Sequence, residues 1–218
     1  MLYDDEKGID AGGLTREMYS QFAAQTLEMP AEKRIFRATA ANRLAPEPCT
    51  PDVYGDECER QFVGYGRVCG MALAMGELSN FSFAPFFLRQ VLFPDATPSV
   101  EEMLEVLRED DPELVRSMEV MLKTAVAESE AQPTPDGSTI EDLCLTFERR
   151  MSTSQEVLGE DRSIPLLPGG EEMDVTVENA RSFVERYLDY KIRLAILPQS
   201  QAFRTGVLDV LQEPGPYQ

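Results

Sequence analysis

The sequence contains no histidine. That absence excludes Ser-His-Asp triads, Cys-His nucleophile pairs and histidine-bearing metal sites within the chain. Cysteine is scarce: Cys49, Cys58, Cys69 and Cys144 are the only four, and no two share a Cys-x-x-Cys spacing. Zinc and a disulfide framework are therefore disfavoured, and a reducing compartment is favoured. No pattern calls for a metal or a cofactor. Long apolar runs are missing too. The most apolar stretch, "FVGYGRVCGMALAMG", is too short to span a bilayer and carries Arg67. The opening "MLYDDEKG" has no signal-peptide core. These features lead us to expect a soluble protein of the cytoplasm or nucleus. Basic residues are outnumbered, 20 Lys plus Arg against 39 Asp plus Glu, for a formal charge of -19 over 218 residues. Such a surface repels nucleic acid and anionic membrane. It suits a basic protein partner, or serves solubility alone.

What is present reads as a mainly helical α+β chain. In "GIDAGGLTRE", Asp10 stands before two glycines and an apolar-periodic run, Leu14, Met18, Phe22 and Leu27. No Gly-Lys-Ser/Thr follows, so the stretch is a helix cap and not a phosphate cradle. Arg16 and Glu17 read as surface or pairing charges. A helix is expected over 10–28, a Pro-rich loop over 45–55 and an apolar helix over 61–75. In the last, Gly66 and Gly70 would let another helix approach closely, and Arg67 would pair with a buried carboxylate. Cys69 and Cys144 fall in apolar runs and read as buried thiols, whereas Cys49 and Cys58 fall in the loop and read as exposed. Pro85 opens a short helix through Leu92, and another covers 101–108. A better one starts with Asp111 as N-cap, Pro112 at the first position and Glu113 in the first turn. Its stripe is Leu114, Met118, Met121, Leu122 and Ala125. "LCLTF" alternates as a strand with Leu143, Leu145 and Phe147 on one face, and a hairpin loop and return strand follow. Gly169 and Gly170 make a turn, and Thr176 is placed to cap the next helix.

That helix, over 178–194, carries two apolar stripes: Phe183, Tyr187, Tyr190 and Leu194 on one side, Val184, Leu188, Ile192 and Ala195 on the other. Either both are buried between layers, or one is core and the other meets a partner. The acidic residues lie on polar faces with no pair framed by apolar neighbours, which gives no support to a carboxylate-based hydrolase.

The order of the segments adds what no single one supplies. "GIDAGGLTREMYSQF", "FVGYGRVCGMALAMGEL", "FSFAPFFLRQVL", "DPELVRSMEVML", "IEDLCLTFE", "LPGGEEMDVTVENARSFVERYLDYKI" and "QAFRTGVLDVL" occur in sequence along nearly the whole chain. In that order they resemble the HECT-type ubiquitin ligase domain. The resemblance implies the N-terminal lobe of that domain. It would have a large helical subdomain, 1–97 with 197–218, and a small one with short β-hairpins, 98–196, that docks a ubiquitin-conjugating enzyme. The loops at 30–56 and 124–138 differ from the family in length.

In the family, a second lobe carries a cysteine in a Thr-Cys-Phe-like context that accepts ubiquitin as a thioester and passes it to a substrate lysine. This sequence has no Thr-Cys pair. The expectation is therefore a fragment cut at both ends, with the nucleophile and the substrate-selecting regions elsewhere and no catalytic residue of its own. Carried over residue by residue, the resemblance assigns conjugating-enzyme docking to Leu114, Met118, Leu143, Leu145, Phe183 and Tyr187, with ubiquitin the second partner. The alternative is an acidic adaptor that binds a protein partner and does no chemistry.

Overall fold

The computed structural model describes residues 13–28, 34–48, 55–76, 81–132, 134, 137–151 and 162–212. Along the chain come α1 (Gly13–Glu28), β1 (Phe36–Ala38), β2 (Leu44–Pro46), α2 (Asp56–Ala74), α3 (Pro85–Leu92), α4 (Val100–Leu107) and α5 (Pro112–Ser129). They are followed by β3 (Glu148–Met151), β4 (Arg162–Pro165), α6 (Ala180–Ile192) and α7 (Leu197–Leu211). The chain is thus α+β and mainly helical, and among the described residues the strands form two antiparallel pairs, β1–β2 and β3–β4. The Asp10 cap and Cys49 lie outside the described residues, as do the side chains of Leu14, Arg16 and Leu27.

Glycines decide how α2 and α7 meet. A Cβ on Gly66 would lie 2.1 Å from the Phe203 carbonyl oxygen, and one on Gly206 2.0 Å from that of Val63. The backbones touch where side chains would otherwise hold helices 8–10 Å apart. The close approach expected at Gly66 and Gly70 is therefore found, with α7 as the neighbour and Gly206 as the reciprocal gap. Arg67 does pair across this contact, with Asp209 at 2.8 Å, but both side chains are exposed, 56% and 41%. The expected buried carboxylate is corrected to a surface ion pair, since the glycine face, and not the Arg67 face, turns inward.

Around this pair sits an aromatic core. Phe36 of β1 meets Phe62 at 5.1 Å and Phe87 at 6.0 Å, and Phe203 meets Phe87 at 5.1 Å, all edge-on. Such offset geometry favours the ring quadrupoles. On α1, Tyr19 and Thr26 are buried, whereas Met18 is 54% exposed. The inward face thus runs through Tyr19, Phe22 and Thr26: Phe22 packs on Tyr65 at 4.9 Å, and Thr26 bonds both the Phe22 carbonyl and the Tyr65 hydroxyl.

The second half is built on α6. Helices α4 and α5 both pack on it, and α3 touches it. Ser99 and Glu102 form a reciprocal capping box at the start of α4. Asp111 accepts from the Leu114 N–H and Pro112 occupies the first turn of α5, as the sequence implies. Helix α5 buries Val115, Met118, Met121, Thr124 and Ala125. Helix α6 buries Phe183, Val184, Leu188 and Ile192.

Four local expectations are corrected. Ala45 and Pro46, expected in a loop, are strand residues of β2, with Pro46 at the strand end where its missing N–H costs nothing. Cys58 lies in α2 and is buried, because that helix starts at Asp56. Thr176 is not a side-chain cap: Asn179 accepts from the Thr176 N–H at 2.8 Å and precedes the helix. Finally, no strand covers 143–147. Thr139 and Asp142 bond each other's backbone N–H groups, at 2.8 and 3.2 Å. This starts a 3-10 turn over Glu141–Leu143 and leaves Cys144 left-handed at φ 47°. Local side-chain bonding outcompetes the strand, and β3 begins at Glu148.

The glycine contact yields a paired prediction. Gly206→Ala forces the α2 and α7 backbones apart and should cost ~1–3 kcal/mol. Gly64→Ala, where nothing lies within 4 Å of the added Cβ, should be neutral or stabilising by up to ~1 kcal/mol. Chemical denaturation of the two variants checks the difference.

Candidate functional site

Three chain segments converge on one cleft of about 990 Å³. The first is the face of α5. Its start is fixed by Asp111, which caps the helix and also accepts from the Lys191 ammonium of α6. Burial pulls the Lys191 pKa below the usual lysine range, and the Asp111 bond opposes that shift. Leu114, Met118, Val120, Met121 and Thr124 line the cleft from this helix.

The second wall is the irregular segment after α5. Its anchor is Ile140, fully buried, whose N–H donates to the Glu128 carboxylate at 2.8 Å. Leu143, Cys144, Leu145 and Thr146 follow and line the cleft. Beyond them the backbone is clamped. Phe147 N–H donates to the Met173 carbonyl at 3.1 Å, and the Leu166 and Val175 N–H groups donate to the Phe147 and Leu145 carbonyls at 2.8 Å. Gly170 makes this possible: a Cβ there would lie 2.4 Å from the Phe147 oxygen.

The third wall is α6. Phe183 stands edge-on to Phe147 at 5.5 Å and lies 5.8 Å from the Tyr187 ring. The Arg149 guanidinium of β3 sits over Tyr187 at 5.5 Å and over Tyr190 at 5.4 Å. A cation over two ring faces holds Tyr187 in place.

All six residues singled out in the sequence line this cleft. They do not contribute alike. Leu143 is 46% exposed, and Leu114, Leu145 and Tyr187 are half-buried. Met118 and Phe183 are only 6% and 3% exposed. Phe183 and Tyr187, assigned together to docking, therefore differ in exposure. Phe183 is a sealed wall, packed on Phe147, and Tyr187 is the ring that reaches the opening.

Among the thiols, Cys69 is buried as expected, and Cys144 and Cys58 are corrected. Cys144 is exposed at the cleft, because the left-handed turn replaces the strand that would have pointed it inward. Cys58 and Cys69 are buried, and burial pushes their thiols up to about 11 and about 12. Thr124, missed in the sequence, is a buried polar residue on the cleft face of α5. Its place three residues beyond Met121 on the apolar stripe was the available signal. Glu148 and Glu171 add carboxylates to the lining, and Arg116 the opposite charge. Apolar walls with a few charged groups suit the binding of an apolar segment, and no nucleophile–base pair is assembled there.

Known proteins of similar sequence are ubiquitin ligases. The chain is 27% identical over 207 residues to the E3 ubiquitin-protein ligase etc-1 of Caenorhabditis elegans, covering 95% of this chain and 19% of that protein. It is 26% identical over 212 residues to the E3 ubiquitin-protein ligase UPL2 of Arabidopsis thaliana, covering 96% of this chain and 5% of that one. To the probable E3 ubiquitin-protein ligase HERC3 of Homo sapiens it is 24% identical over 213 residues, covering 96% and 18%. It thus spans a minor part of each relative's length. The HECT-domain (ubiquitin-transferase) family matches residues 19–216, and with the helical architecture described above the conclusion is plain: this chain belongs to the HECT-domain family.

Proposed function

We propose that this chain is the carrier-docking lobe of a HECT-type ubiquitin ligase, its cleft receiving an apolar loop of a ubiquitin-conjugating enzyme. The observation that carries this reading is convergence. Leu114 and Met118, Leu143 and Leu145, and Phe183 and Tyr187 come from three separate segments and share one opening. On this reading the docking subdomain is 98–196, and the larger subdomain is 1–97 with 197–218.

The chain's own contribution is proximity. Ubiquitin transfer is acyl exchange between two sulfurs: an acceptor thiolate attacks the carrier's thioester carbonyl, the new C–S bond forms and the carrier thiolate leaves. Holding the carrier against the ligase makes that step effectively intramolecular. We place the acceptor cysteine, and the lysine-bearing substrate it serves, outside this chain, since none of its cysteines follows a threonine. The working compartment would be the cytoplasm or nucleus.

Docking of this kind is weak by construction, because the carrier must leave after each transfer. An interface of roughly 1,200 Å² or less fits such an encounter. The charge of -19 steers basic carriers and raises the association rate more than the affinity.

Two predictions follow from the burial pattern. Leu143→Ala, at an exposed position, should leave stability within about 0.5 kcal/mol of wild type while weakening carrier binding roughly tenfold. Phe183→Ala should instead lose ~3–5 kcal/mol of stability, being a core deletion. Titration against a panel of conjugating enzymes by interferometry, beside thermal melts, separates the two. Unchanged binding by Leu143→Ala would count against the docking site. In addition, the chain mixed with a ubiquitin-charged carrier should form no thiol-sensitive ubiquitin adduct on a non-reducing gel, and such an adduct would contradict the placement of the acceptor.

A further inference from the structure

The cleft holds two groups that docking of an apolar loop does not use. Cys144 is a free, exposed thiol in its lining. Thr124 lines the same cleft, is 5% exposed, and its hydroxyl has no hydrogen-bond partner among the described residues. The hydroxyl is not among the sealed polar atoms that lack a partner, so it keeps a solvent-reachable edge. Here the open side is the cleft, so an acceptor on a cleft ligand would satisfy it. Thioether and aliphatic side chains, including Met118, Met121 and Leu145, line the same cleft.

We infer that the cleft is a covalent capture site for neutral α,β-unsaturated carbonyl compounds bearing an apolar tail. The tail lies along the apolar wall, the carbonyl oxygen accepts from Thr124, and Cys144 is the nucleophile. The step balances without an oxidant or a leaving group. The Cys144 thiolate pair forms a C–S bond to the β-carbon. The π pair moves to the α-carbon, which takes a proton from water in place of the one the thiol lost. A neutral electrophile fits better than an anionic disulfide. The protein carries a charge of -19, and Glu148 and Glu171 stand in the lining, so anionic reagents are repelled. Cys58 and Cys69 do not compete, being buried and held in the thiol form. An adduct fills the space proposed above for the carrier loop. That consequence rests on the docking reading, whereas the adduct itself does not.

The test uses the chain with nonenal as the tailed probe, acrolein as the tailless one and oxidised glutathione as the anionic one. Adducts are mapped by peptide mass spectrometry, with rates normalised to free cysteine. Nonenal should label Cys144 about tenfold faster than acrolein does, because the tail leaves water. It should label Cys58 and Cys69 only on unfolding. Thr124→Val should slow the reaction several-fold and Thr124→Ser should restore it, and Cys144→Ser should abolish it. Equal normalised rates for nonenal and acrolein would overturn the proposal, as would faster labelling by oxidised glutathione or a Thr124→Val rate equal to wild type. Adduct formation at Cys144 with undiminished carrier binding would leave the capture site standing and remove the docking reading.

Discussion

Helix α6 carries more apolar surface than one neighbour can cover. Val184 and Leu188 are completely buried, and α4 and α5 both pack on the helix. Phe183 is closed off by Phe147 and Tyr187. What remains is the flank at Tyr187, where α5 and the segment over 143–146 diverge. The cleft is the residue of that packing problem. Its walls are tied to one another at the ends of the opening. Asp111 and Lys191 tie α5 to α6 at one end. Glu128 ties the second wall, through Ile140, to α5 at the other, and Gly170 lets the chain pass tightly behind Phe147.

Rigidity of this kind matters for a weak interface. A preformed cleft spends little ordering entropy on binding, so a modest apolar contact is enough. On the two proposals made above, the same preformed space would receive a protein loop and a small electrophile. Both need apolar walls of fixed shape, and the second needs only Cys144 and Thr124 in addition. The acidity of the chain sorts ligands by charge, favouring basic carriers and neutral small molecules over anions.

Much of the fold was legible because its signals are local. Pro85, and Asp111 with Pro112, each announce a helix start through backbone chemistry that needs no tertiary context, whereas the Ser99–Glu102 capping box, equally local, went unread. The close contact at Gly66 could be read for the same reason, though not its partner Gly206. The misreadings share a different cause. "LCLTF" alternates like a strand, yet the bonds between Thr139 and Asp142 turn the chain just before it. From that one difference follow the exposure of Cys144 and of Leu143. Phe183 and Tyr187 share a stripe, but only the position of Phe147, 36 residues earlier, decides which of the two rings is sealed. Periodicity finds a face and cannot say how far a remote side chain covers it. The six proposed docking positions rest on the order of motifs along the chain, and their three-dimensional proximity is a fact that no spacing contained.

The central claim is that a conjugating enzyme seats in the cleft between α5, the 143–146 segment and α6. The most direct measurement is methyl-resolved NMR of the chain titrated with a conjugating enzyme that it binds. The account predicts that the Leu114, Met118, Leu143 and Leu145 methyl resonances shift together, while methyls on the α2–α7 contact, such as those of Val207, stay fixed. Shifts confined to that other face, with the cleft methyls unmoved, would contradict it.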